Sequence, residues 1–156
     1  MINARLFSLV SSMPKAPAYP SSLKLFIDAG NPLSYSGSGT TVTDLTGNQN
    51  GTLVNGVGYS SSNGGYFTFD GINDYIDFGI NTNIQPTSAR TVSLWVYIDS
   101  GSNGVFYSDY TTSTGRNGVL MDSDNNNGRA YFCGTTGNQW LNNTITKNTW
   151  TYFTFS

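Results

Sequence analysis

Residues 23–79, LKLFIDAGNPLSYSGSGTTVTDLTGNQNGTLVNGVGYSSSNGGYFTFDGINDYIDFG, constrain what this chain can fold into more than any other stretch. Apolar runs of about five residues alternate there with Gly, Asn and Ser turns roughly every eight to twelve residues, the pattern of a sandwich or barrel of short strands. Leu23, Leu25 and Ile27 alternate with Lys24 and Phe26, which predicts a strand over 23–28 stopped by Asp28-Ala29-Gly30-Asn31-Pro32. A second short strand is expected over 40–45, ended by Gly47-Asn48-Gln49-Asn50-Gly51. Asn50-Gly51 and Asn55-Gly56 flank Thr52-Leu53-Val54, and Asn-Gly signals a hairpin because both residues tolerate positive φ. Residues 66–69 and 75–78 are expected to pair around Asp70-Gly71-Ile72-Asn73.

The clearest strand lies over 90–99. Val92, Leu94, Val96 and Ile98 fall on one side and Ser93, Trp95 and Tyr97 on the other, so the aliphatic set should enter the core and leave an amphipathic second face. Further strands are expected at Val105-Phe106-Tyr107-Ser108 and around Trp150-Thr151-Tyr152-Phe153, with residues 119–121 and 129–133 forming a hairpin about a polar tip.

The order of these segments is similar to the laminin-G-like domains of the concanavalin A-like lectin/glucanase superfamily. The resemblance rests on Asp28-Ala29-Gly30-Asn31-Pro32 closing the first strand, on Asp44 followed by Gly47-Asn48-Gln49-Asn50-Gly51-Thr52-Leu53, and on Phe69-Asp70-Gly71 with Asp74-Tyr75 behind it. Thr91-Val92-Ser93-Leu94-Trp95-Val96 matches the family's Trp-bearing central strand. The fold it implies is all-β, an antiparallel β-sandwich of jelly-roll, concanavalin A-like type. Val42 stands where relatives carry Trp, so the core beside Asp44 must pack differently. The family pattern also continues beyond the strand at Trp150, so the resemblance implies a sandwich whose remaining C-terminal strands come from a longer chain or from another subunit, or a shortened variant of it, and the first strand, 23–28, is expected to face an unpaired edge.

Composition removes most catalytic chemistry. All nine acidic residues are Asp, and the chain holds neither Glu nor His. Imidazole-based nucleophile activation and imidazole metal ligands are therefore excluded, and the paired glutamates of the superfamily's glucanases cannot be built, although two Asp could serve as acid and base. A glucanase-type hydrolase is kept as the minor alternative to a chain that is not an enzyme. Seven basic residues and a net charge of −2 provide no basic stripe, so nucleic acid is not an expected partner. A membrane partner is not expected either. The lone Cys133 cannot form an intrachain disulfide and reads as a small apolar strand residue.

For a glycan, the useful groups are flat aromatic faces plus amides and carboxylates. Tyr107, Asp109 and Tyr110 near one turn, and Asn138 and Trp140 near another, are of the right types, although the same residues would equally serve packing and turns. The polar tip at 122–128 offers Asp122, Asp124 and Asn126 as calcium ligands at alternate positions. An EF-hand-type loop would need Gly where Asn127 stands and Glu where Cys133 stands, so a plain Asp/Asn/Gly turn is the expected structure, with calcium as the one cofactor these residues suggest. Asp70, Asn73, Asp74 and Asp77 form a second acidic corner, where Asp70 is expected to accept from backbone N–H groups two residues on.

Residues 1–22 read as an extended arm spaced by Pro14, Pro17 and Pro20, ahead of a lectin-like domain over 23–156. The apolar patch after Arg5 is too short for a cleaved signal. The expected function is that of a non-catalytic virion structural protein, a capsid decoration, tail or fibre component located in the virion. Its partners would be other virion proteins or copies of itself, met through the arm and an unpaired sheet edge, and cell-surface glycans. The alternative is a carbohydrate-binding or adhesion module of a larger secreted bacterial protein, placed outside the cell or at its surface.

Overall fold

The computed structural model describes residues 18–80, 90–99, 103–111, 115–122, 129–134, 137–144 and 146–155, with side chains over 18–80, 90–99, 104–108 and 146–154. Strands dominate these residues. They are β1 (Thr41–Val42), β2 (Gly51–Val54), β3 (Gly58–Ser60), β4 (Tyr66–Thr68), β5 (Tyr75–Asp77), β6 (Val92–Val96), β7 (Asn103–Thr111), β8 (Gly115–Asp122), β9 (Arg129–Gly134), β10 (Gly137–Thr144) and β11 (Thr151–Phe155). A 3-10 turn, Ser62–Gly64, separates β3 from β4. The strand pairs among the described residues are antiparallel, in ladders ordered β1-β2-β5, β3-β4, β11-β6 and β10-β9-β8-β7. The all-β expectation therefore holds among the described residues, and so does the hairpin of β8 and β9, in which Asp122 stands opposite Arg129. Among the described residues no helix is long and apolar enough to cross a membrane.

The expected strand over 23–28 is not part of a backbone ladder, because apart from one backbone bond side chains take the place of strand partners. Asp44 Oδ1 accepts the Phe26 N–H at 2.9 Å, and the Phe26 carbonyl accepts from the Leu45 N–H at 2.9 Å. The Lys24 carbonyl accepts from Thr46 Oγ1 and Asn48 Nδ2, while the Asp28 N–H donates to Ser34 Oγ. The segment thus runs beside the β1 end of the first sheet with period-two bonding, as a strand does.

Two further expectations about pairing are overturned. Asn55 and Gly56 do adopt positive φ, 66° and 108°, but they join β2 to β3, which lie in different ladders, so the turn is not a hairpin. Asn55 Nδ2 instead donates to the Asn73 carbonyl at 2.7 Å, tying this turn to the corner before β5. Residues 66–69 and 75–78 likewise do not pair with each other: β4 lies on β3 and β5 on β2. The corner between them explains the split. Asp70 Oδ1 accepts from the N–H groups of Ile72 and Asn73, as expected for an Asx turn, and Asp74 Oδ2 accepts from Asp70 N–H, so the chain is turned away before a hairpin can close.

The core forms where these short ladders face one another. Val42 on β1, fully buried, packs with Tyr35 and Leu53, and Ile27, Val57, Tyr59, Phe67 and Ile76 close around them. The Tyr35 ring meets those of Tyr59 and Phe67 edge-on, each at a centroid distance of 5.0 Å, a geometry aromatic quadrupoles favour. The space around Val42 is thus filled by aromatic residues arriving from β3, β4 and the turn at Tyr35.

Candidate functional site

The alternation in β6 decides where the aromatic residues go. Val92, Leu94 and Val96 are half-buried and Ile98 is buried, whereas Ser93, Trp95 and Tyr97 point outward. Across the ladder, β11 repeats the division with Phe153 buried and Tyr152 and Thr154 exposed. The register sets Tyr152 opposite Trp95 and Thr154 opposite Ser93. Inward, Phe153 stacks with Phe106 of β7 at 6.1 Å, so this two-stranded ladder has one packed face and one open one.

The open face carries a chain of aromatic contacts. Trp95 and Tyr152 lie 5.2 Å apart with ring planes inclined by 44°, and Tyr97 and Trp150 lie 5.5 Å apart at 52°. Tyr66 extends the second pair, edge-on to Trp150 at 5.4 Å. Trp95 is 64% exposed, Tyr152 54% and Tyr97 46%, which is unusual exposure for such large rings. Beside them the Ser93 and Thr154 hydroxyls share a hydrogen bond of 3.1 Å. Bonding to Ser93, and then to Thr154, pulls the Tyr152 phenol below its ordinary value. The site therefore joins aromatic faces to a small cluster of hydroxyls able both to donate and to accept.

The candidate residues read from the sequence are distributed differently. Tyr107, Asp109 and Tyr110 lie on β7 and Asn138 and Trp140 on β10, the two outer strands of the four-stranded sheet, with β8 and β9 between them. At roughly 4.8 Å per strand spacing, their backbones are about 14 Å apart, so the fold does not gather them into one cluster. Asp122 ends β8 opposite Arg129, and the other two calcium candidates, Asp124 and Asn126, lie outside the described residues. Among the described residues, no three acidic or thiol groups come together as a metal cage. Cys133 sits in β9 opposite Gly118 and Asn138.

Sequence reading assigned Trp95 and Tyr97 to an amphipathic face but did not join them to Tyr152 and Trp150. The signal was present as a second alternation in β11. What it lacked was the pairing of two strands with four others between them.

Comparison with protein-family models, with curated proteins and with solved structures finds no match for this chain.

Proposed function

We propose that this chain is a non-catalytic attachment module with a concanavalin A-like, jelly-roll β-sandwich, and that it holds neutral glycans on the open face of β6 and β11. The observation that carries this reading is the run of exposed Trp95, Tyr152 and Tyr97, continued by half-buried Trp150, beside the Ser93 and Thr154 hydroxyls. Pyranose rings present apolar C–H faces that lie against aromatic π-faces, and their hydroxyls need partners that both donate and accept. Rings inclined to each other by 44° and 52° suit successive sugar units of a single chain better than the flat face of a crystalline polysaccharide. The absence of Glu and His from the chain supports binding without hydrolysis.

The setting is the outside of a virus particle, as a decoration, tail or fibre component meeting a glycan-coated cell. The same face would serve an adhesion module of a secreted bacterial protein, and the copy number of the chain in purified particles separates these settings.

Trp95→Ala and Tyr152→Ala are the direct tests, since both rings are more than half exposed and their removal leaves the packed face intact. Each should weaken retention in neutral-polysaccharide affinity gels by about tenfold, the effect of losing an aromatic anchor. Unchanged retention in the double variant, with its β-sheet circular dichroism intact, would sink the glycan reading.

A further inference from the structure

The segment beside β1 is bonded on one side only. Lys24, Phe26 and Asp28 direct their backbone groups toward residues 34 and 44–48. Among the described residues, nothing bonds the N–H or C=O of Leu25 or Ile27. Period-two geometry sends those groups the opposite way, to the outer edge of the sheet. Such an edge is a template for another strand.

We propose that this edge pairs with the same edge of a second copy of the chain, antiparallel and centred on Phe26. The charges select that occupant. In this register Lys24 of each copy stands opposite Asp28 of the other, and Phe26 stands opposite its own counterpart. Leu25 and Ile27 then face each other as hydrogen-bonded pairs, each exchanging both N–H···O=C bonds, while the Lys24/Asp28 and Phe26 positions are the closer, non-hydrogen-bonded pairs. Lys24 and Asp28 are both exposed, and their side chains share the face on which Phe26 lies. Tyr19 already packs edge-on against Phe26 at 5.2 Å, adding an aromatic lid to that face. Lys24 Nζ now donates to the Ser21 carbonyl at 2.9 Å, and Asp28 Oδ1 accepts from the Gly30 N–H at 3.0 Å; each retains capacity for a further bond. A parallel register, or one shifted by two residues, sets a charge against an apolar residue or a like charge. The self-complementary contact is isologous, which closes the pair as a dimer instead of extending it into a fibre. This inference stands whether or not the aromatic face takes sugar.

Sedimentation velocity over a concentration series tests it on the whole chain. The unaltered protein should show a reversible dimer, and Lys24→Asp or Asp28→Lys should each weaken it by about tenfold or more by opposing like charges. Mixing the two variants should restore the dimer, because the first then presents a carboxylate at both ends of its strand and the second an ammonium group opposite each. Amide exchange of the unaltered protein supplies a readout without substitution: Leu25 and Ile27 should gain protection as concentration rises. A monomer at every concentration overturns the proposal. So does a dimer insensitive to both reversals, or one that the mixture fails to restore while Leu25 and Ile27 exchange independently of concentration.

Discussion

Asp44→Ala is expected to cost about 3–5 kcal/mol of folding stability, a large share of what a domain of this size possesses. The Asp44 side chain is 1% exposed and accepts five hydrogen bonds. Oδ1 takes the N–H groups of Phe26 and Thr46 at 2.9 and 3.0 Å. Oδ2 takes Thr46 Oγ1 at 2.6 Å and the N–H groups of Asn48 and Gln49, both at 3.1 Å. Alanine would leave the backbone donors of Phe26, Thr46, Asn48 and Gln49 without their buried acceptor in a part-buried turn, and each orphaned donor costs up to about 1–3 kcal/mol. It would also release Phe26, and with it the segment that runs beside β1. Urea unfolding at neutral pH measures the loss, and a cost under about 1 kcal/mol would show that water replaces the carboxylate.

The same carboxylate gives stability a pH dependence. Burial pushes the Asp44 carboxyl up, but the Thr46 hydroxyl and the N–H groups of Phe26, Thr46 and Gln49 together outweigh it and hold the group below its ordinary value. A folded-state value below the unfolded one contributes stability above the unfolded value, about 4, and that contribution is lost as pH falls through the folded value. Asp70, lowered chiefly by the Ile72 N–H, acts in the same direction. Stability should therefore be insensitive to these groups from roughly pH 5 to 8 and decline below about pH 4. Asp44→Asn should make that acid limb shallower, leaving the part that belongs to Asp70. An unchanged acid slope in Asp44→Asn would remove Asp44 from the account.

Gly65→Ala should rank next, at about 2–4 kcal/mol, because two separate costs coincide there. Gly65 has φ of 93°, where a side chain is strained. Its added Cβ would also lie 2.6 Å from Gly30 Cα and 2.8 Å from the Ala29 carbonyl oxygen, backbone atoms that cannot swing aside. The converse substitution, Gly30→Ala, drives a Cβ into the Gly64 carbonyl oxygen. Gly39→Ala separates the two costs: its φ is 83°, yet nothing lies within 4 Å of the new Cβ. It should lose only the conformational part, about 1–2 kcal/mol. Thermal unfolding of the three variants reads the difference, and equal losses in Gly39→Ala and Gly65→Ala would mean that the close approach of the two turns carries no weight.

Local chemistry was legible residue by residue. Asp70 was expected to bond N–H groups two residues ahead and does so; Asn55-Gly56 was expected to take positive φ and does. The inward set Val92, Leu94, Val96 and Ile98 was likewise readable, because period-two alternation is a property of one strand. Partnership was not. Asn55-Gly56 turns the chain out of one ladder into another, and 66–69 leaves 75–78 for a different neighbour, because those choices depend on the Asn73 carbonyl and on Asp74.

Tyr107, Asp109, Tyr110, Asn138 and Trp140 are legible as glycan candidates because aromatic and amide side chains near turns are what a sequence displays most openly. The aromatic face of β6 and β11 is built from residues whose separation along the chain hides their contact. The sequence alone determined that this protein is built of short strands without His or Glu, that β6 has an aliphatic and an aromatic side, and where its turns bend. Only the tertiary structure decided that Trp95 stands against Tyr152, that Asp44 closes on Phe26 eighteen residues away, and that Leu25 and Ile27 edge the sheet. Alternation and turn propensity act within a few bonds of the residue that carries them. Pairing, by contrast, is settled by which distant donors and rings can be satisfied together once the core has closed.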